Sequence, residues 1–205
     1  FSISTMADPG GAVTVGHGLS KAPSMYIVKG RSGATTWGVY HEGIGATKNL
    51  NLNTDGAAGT SSSYFNDTAP TSTVLSLGAT WNGAGTLVVY AFANIEGYCK
   101  TGSYVGNGNA DGPFVYTGFK PKMLFVKLVP SAGNWWVEDT ARDTYNPASK
   151  YIAWDSDGAE ASGIPVDFLS NGFKIRSSSG DFNTNGSAIV YGAWAENPFK
   201  YATAR

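Results

Sequence analysis

Two stretches of this chain, 98 residues apart, read almost alike. Pro23-Ser24-Met25-Tyr26-Ile27-Val28-Lys29 returns as Pro121-Lys122-Met123-Leu124-Phe125-Val126-Lys127. Trp37-Gly38-Val39 is answered by Trp135-Trp136-Val137 at the same spacing. Asp55-Gly56-Ala57 meets Asp157-Gly158-Ala159, and Ala91-Phe92-Ala93 meets Ala193-Trp194-Ala195, each 102 apart. Four anchors in one order, with small drifts, predict a duplicated unit of about 100 residues, too long for a solenoid repeat and the size of a small domain. The expected division is an entry segment or linker at 1–12, a first copy at 13–97 and a second at 98–205.

Copies of that size need a fold that closes quickly on itself, and the punctuation says which. Seven Asn-Gly or Asp-Gly pairs (55–56, 82–83, 107–108, 111–112, 157–158, 171–172 and 185–186) mark tight turns, because these residues tolerate a left-handed backbone. With 27 glycines and 9 prolines, no long stretch keeps an apolar period of 3.6. Strands are expected instead at Val13–Gly16, Met25–Lys29, Thr36–His41, Asn49–Asn53, Val74–Leu77 and Leu87–Ala93. In Thr36–His41 Trp37, Val39 and His41 alternate with Gly38 and Tyr40, so one face is read as wet, and in Asn49–Asn53 the leucines point inward and the asparagines outward. Gly59–Ser63 reads as a surface loop. The second copy is expected to run through Met123–Leu128, Trp135–Asp139, Tyr151–Trp154, Phe173–Arg176 and Ala188–Ala195, with Asp139–Tyr145 the one place for a helical turn. The fold class is all-β, in packed sheets of sandwich or jelly-roll type.

Charge limits the partners. The chain carries 14 Lys+Arg against 15 Asp+Glu, divided 4 to 5 over residues 1–97 and 10 to 10 over 98–205, so neither copy offers the basic excess that a phosphate backbone requires. Solubility rests on Ser, Thr, Asn and Gly, a composition that leans toward extracellular and virion surfaces. The apolar runs are too short for a membrane-spanning helix, and no charged-then-apolar leader opens the chain. A start at Phe1 suggests processing, or a piece of a longer protein. One cysteine, Cys99, excludes an internal disulfide.

Few residue groupings suggest chemistry. Asp181-Phe182-Asn183-Thr184-Asn185-Gly186 matches the first half of a calcium loop, with oxygen ligands at Asp181, Asn183 and Asn185. Gly192 stands where the bidentate acid should be, so a polar turn explains the match as well. Asn51–Gly56 is a weaker version. Gly106–Gly112 is glycine-rich but has neither dinucleotide nor P-loop spacing, and reads as a loop between the copies. Cys99 with His17 or His41 could make a thiolate pair only if the fold joined them; an inert buried thiol is the plainer reading. Glu138 and Asp139 are neighbours on a strand and must face opposite ways. Asp139 and Asp143 flank Arg142 in a loop-fixing ion pair. Asp155, Asp157 and Glu160 surround a turn. No pair emerges with the geometry that sugar cleavage demands, so neither catalytic residues nor cofactors are expected. Asn107, Asn109, Asp111, Trp136 and Tyr145 are the candidate surface-binding residues, since polar loops and exposed aromatic rings suit recognition of a sugar or a receptor.

One further pattern concerns the second copy. Gly102–Gly108 (GSYVGNG), Gly118–Lys127 (GFKPKMLFVK), Asp139–Asp143 (DTARD), Asp167–Phe173 (DFLSNGF) and Ala195–Lys200 (AENPFK) together resemble a tandem β domain of virion proteins from tailed bacteriophages, especially those of marine bacteria and cyanobacteria. The resemblance spans nearly the whole chain. It implies a tail-fibre-like structural protein in the virion, contributing to attachment through a host-surface glycan or receptor and contacting other virion subunits. It also implies a homo-oligomer, a trimer in a tail fibre. The charge-free runs Leu87–Ala93 and Ala188–Ala195 would favour association if either lay at an open sheet edge. Two alternatives stay open: a head-decorating or filament-forming protein, and a polysaccharide-degrading tailspike-type enzyme. In the first copy the DTARD position is held by His41-Glu42-Gly43-Ile44-Gly45, so a loop role special to the second copy is possible.

Overall fold

A computed structural model describes residues 1–8, 10–178 and 180–198. The chain divides into two units, the first ending at Ala93 and the second beginning at Asn94. In the first, the strands are β1 (Ser2–Ala7), β2 (Val13–Gly16), β3 (Met25–Gly30), β4 (Trp37–His41), β5 (Lys48–Asn51), β6 (Gly59–Thr60), β7 (Val74–Leu77) and β8 (Thr86–Phe92). A one-turn helix, α1 (Ser62–Phe65), precedes β7, and a 3-10 turn at Ala79–Trp81 follows it. In the second, they are β9 (Cys99–Val105), β10 (Phe114–Tyr116), β11 (Pro121–Leu128), β12 (Trp136–Asp139), β13 (Ala148–Ala153), β14 (Ala161–Leu169), β15 (Gly172–Ile175) and β16 (Ala188–Ala195), with a one-turn helix α2 (Gly180–Asn183) before β16. The protein is all-β and sandwich-like.

The two units share one strand order. The first forms a six-stranded sheet β1-β8-β3-β4-β5-β6 and a separate pair β2-β7; the second forms one sheet, β9-β16-β11-β12-β13-β14-β15-β10. Substituting each strand of the second by its counterpart in chain order reproduces the first. The registers agree as well: Met25 faces Phe92 and His41 across its two ladders, and Met123 faces Trp194 and Asp139. Small fittings recur. Asn53 Oδ1 accepts the Trp37 N–H (2.9 Å) where Asp155 Oδ1 accepts that of Trp135 (3.0 Å). His17 Nδ1 accepts from the Leu19 N–H where Thr117 Oγ1 accepts from that of Phe119.

The units differ where a sheet closes. In the second, the nine-residue β14 pairs with both β13 and β15, so the sheet is continuous, and a bond from Lys100 Nζ to the Tyr116 carbonyl (2.9 Å) joins its two edge strands. In the first unit β6 has only two residues, and α1 occupies the gap before β7. Ser61 caps α1 by accepting the Ser63 N–H, and Asn66, in the left-handed region at φ 53°, ends it. Ser4 Oγ donates to the Gly16 carbonyl (3.3 Å), joining β1 to β2 as Lys100 joins β9 to β10.

Each unit has its own buried cluster. In the first, Tyr26 stacks on Tyr40 at 4.7 Å, Phe65 packs edge-on to both, and Trp81 lies beneath Gly38. A β-carbon at Gly38 would come within 2.6 Å of the Trp81 ring, so this strand position must stay bare. In the second, Leu124, Val126, Phe168, Phe173, Ile175 and Tyr191 are the main contributors. Burial of each such side chain contributes about 1.5–3 kcal/mol.

Several local expectations are overturned. Residues 2–7 are not a loose entry but β1, paired along its length with β8. The break between units falls at 93/94, so Gly106–Gly112 lies inside the second unit, between β9 and β10, rather than between copies. Neither face of β4 is wet: Gly38, Val39, Tyr40 and His41 are all buried, with Trp81 and Tyr26 covering the Gly38/Tyr40 side. β5 stops at Asn51, and Asn49 is buried. The stretch 59–63 forms β6 and begins α1, although its residues are mostly exposed. No helical turn forms over 139–145; Asp139 and Asp143 organise an open turn instead. The charge-free β8 and β16 are interior, each flanked on both sides, which removes the edge-based argument for association. Pro9 of the Pro-Gly-Gly break, and Phe199 and Lys200 of the terminal motif, lie outside the described residues.

Candidate functional site

The connection from β9 to β10 carries three of the five candidate residues and is the most heavily fastened loop of the second unit. Its fastener is Asn183, the last residue of α2, which is fully buried. Asn183 Oδ1 accepts the Asn107 N–H (2.7 Å). Its Nδ2 donates to Asn107 Oδ1 (2.9 Å) and to the carbonyls of Asn109 (2.7 Å) and Ser177 (2.9 Å). The Asn183 carbonyl accepts the Gly108 N–H. Within the loop, Asn107 Oδ1 accepts from the Asn109 N–H and Asn109 Oδ1 from the Asp111 N–H, two successive side-chain turns. Gly106 is required at the loop's start: a β-carbon there would lie 2.3 Å from the Thr184 carbonyl oxygen.

Asp111 ends the loop in charge pairing, with Lys174 Nζ at 2.7 Å and Arg176 Nη1 at 3.5 Å. The Lys174 hydrogen bond and charge hold the Asp111 carboxyl below its ordinary value. Arg176 also reaches Asp167 Oδ2 at 3.2 Å. Lys174 stands opposite Phe114 in the β10–β15 ladder, and Phe114 and Tyr116 are exposed, Tyr116 with the Lys100 ammonium 5.4 Å from its ring centre. A rigid polar loop therefore runs into a strand presenting two open aromatic faces. Planar rings with neighbouring amides are the chemistry that grips a sugar, apolar face to ring and hydroxyls to amides.

The other two candidates lie elsewhere. Trp136 is half-buried on β12; its Nε1 donates to Asp181 Oδ2 (2.7 Å), and its ring meets Tyr151 edge-on. Through Asp181 it is tied to the helix that fastens the loop. Tyr145, 83% exposed, belongs to the β12–β13 connection and is not brought to the loop by any of these bonds. The half calcium motif is spread apart: Asp181 serves Trp136, Asn183 serves the loop, and Asn185 sits at the bridge to Gly106. Among the described residues no group of three or more His, Cys, Asp or Glu side chains is placed to hold a metal ion. His17 and His41 act as turn acceptors, for the Leu19 and Gly43 N–H groups, and Cys99 is buried.

Sequence reading missed the importance of two residues. Asn183 was visible only as half a motif, because its partners lie more than 70 positions upstream. Adjacent positions on a strand put Glu138 and Asp139 on opposite faces, but nothing in the sequence marks Glu138 as core. It is 1% exposed, neither carboxyl oxygen has a hydrogen-bond partner, and burial pushes its pKa up to about 9. Asp139 goes the other way: burial raises it, but hydrogen bonds from the Arg142 backbone and guanidinium outweigh that and hold it low. The Asp139–Arg142 pair is close (Nε to Oδ2, 2.6 Å), as the motif suggested, whereas Asp143 accepts the Ser149 N–H.

No curated protein and no solved structure matches this chain. One family model does, over residues 1–198. The chain belongs to that family, DUF7483, a domain of unknown function.

Proposed function

We propose that this chain is a non-catalytic virion module of tail-fibre type that contributes to binding a host-surface glycan or receptor. The observation that carries the reading is the β9–β10 loop: Asn183 fixes Asn107 and Asn109 in place, and the same loop leads into the strand that bears the exposed rings of Phe114 and Tyr116. Preorganised polar groups beside open aromatic faces spare a binding site the entropy of ordering a loop. The phage resemblance supplies the virion setting, the partner subunits and the trimer of a tail fibre. The enzymatic alternative draws less support, because the carboxyl held protonated, Glu138, has both oxygens sealed from solvent.

Surfaces coated with capsular polysaccharide or lipopolysaccharide of a host bacterium provide the test. The chain should bind and release no oligosaccharide, and Tyr116→Ala should weaken binding at least tenfold while leaving the fold intact. Release of oligosaccharide, or unaltered binding by Tyr116→Ala together with Phe114→Ala, contradicts the proposal.

A further inference from the structure

Glu138 occupies an unusual position. On β12 it stands between Leu124 of β11 and Tyr151 of β13, in the register that Tyr40 occupies in the first unit. There Tyr40 stacks on Tyr26; here a carboxyl faces the core with nothing to bond to. Two residues on along the chain, Thr140 Oγ1 is also buried without a partner. The charged or titratable groups acting on Glu138 are Arg142 and Asp143 from the turn after β12, Asp139 at the end of β12 itself, and Tyr104 from β9. The Tyr104 hydroxyl is committed to the Phe182 carbonyl (2.8 Å). Arg142, the nearby cation, bonds Asp139 Oδ2 through Nε and the Val137 carbonyl through Nη2 (2.8 Å), while its buried Nη1 lies 3.5 Å from Glu160 and makes no hydrogen bond.

We propose that Glu138 is a proton-binding site that holds the β12–β13 connection closed while protonated and loosens it on ionisation. An ionised Glu138 has two remedies: water must enter, or Arg142 must turn inward. Entry of water, or a swing that carries the unpartnered Arg142 Nη1 to the carboxylate, disturbs the Asp139–Arg142 pair and the turn in which Asp139 Oδ1 accepts the N–H groups of Ala141 and Arg142. The connection also carries the exposed Tyr145, so its surface would change with pH. The direction follows from linkage. Glu138 binds its proton more tightly in the closed state, near 9, than when solvated, near 4.5. Closure is therefore strongest below 4.5 and weakens as pH rises toward 9.

Hydrogen exchange on the whole chain, corrected for the intrinsic pH dependence of exchange, tests this. Amides of 139–147 should lose protection about tenfold per pH unit between those two values and then level off. Peptides covering 37–45, where Tyr40 replaces the acid, should show no such slope. Glu138→Gln, neutral at every pH, should abolish the slope in 139–147. An identical slope in Glu138→Gln overturns the proposal. Should that variant fail to fold, carboxyl carbon NMR of the wild-type chain decides: Glu138 protonated at neutral pH supports the site, and titration below about pH 6, near an ordinary glutamate, overturns it.

Discussion

The same strand order is filled in two ways, and the contrast between the units separates what the topology needs from what a particular sequence adds. The first unit solves its interior with rings: Tyr26, Tyr40, Phe65 and Trp81 pack around a bare Gly38. The second replaces Tyr40 with Glu138 and Tyr26 with Leu124, and extends β14 so that one sheet runs continuously where the first unit inserts α1. Both link the β1–β2 or β9–β10 loop to the segment before the last strand, by opposite means. In the first unit, Asp8 on the loop accepts the Gly83 N–H; in the second, Asn183 on α2 reaches out to the loop. The two units make this link from opposite sides.

The largest expected effect probes the matched cores. Trp81→Ala and Phe182→Ala remove fully buried rings from corresponding places before β8 and β16. Each should cost about 3–5 kcal/mol in denaturant unfolding. A cost below about 1 kcal/mol at one site only would break the correspondence. Next comes the link. Asn183→Ala strands the Asn107 N–H and removes the donor to the loop carbonyl of Asn109, and should cost about 2–4 kcal/mol. Asp8→Ala, at a more exposed link, should cost about 1 kcal/mol or less. Equal costs would mean that the two links are not used differently.

The buried acid sharpens the comparison in the other direction. Glu138→Gln should stabilise the second unit by about 1.4 kcal/mol for each pH unit above 4.5, and the gain should vanish below that value, where the solvated acid is itself protonated. Parallel melting curves above and below that pH check this. The smallest effect belongs to Tyr145: at 83% exposure, Tyr145→Ser should shift stability by less than about 0.5 kcal/mol.

These elements also show what a sequence can display. Ala188–Ala195 is found with its bounds unaltered, because an uncharged β-rich run between turn residues has one good reading. β1 was passed over because its half-buried face is Ser2, Ser4 and Met6, while Ile3 is 58% exposed, so its alternation carries no apolar signal. Gly163 and Pro165 interrupt β14 in the same way, although the strand forms through them. The loop residues Asn107, Asn109 and Asp111 were legible as turn chemistry. Their fastener was not, since a buried asparagine announces itself only through partners that the fold brings to it.

The central claim is that one topology is written twice, in the same register. Amide and α-proton NOEs across the ladders test it directly. The account predicts contacts pairing Met25 with Phe92 and Met123 with Trp194, continuing residue by residue to Gly30 with Leu87 and Leu128 with Ile189. A shift of one residue in either ladder would send its core side chains to the opposite face, and would contradict the claim.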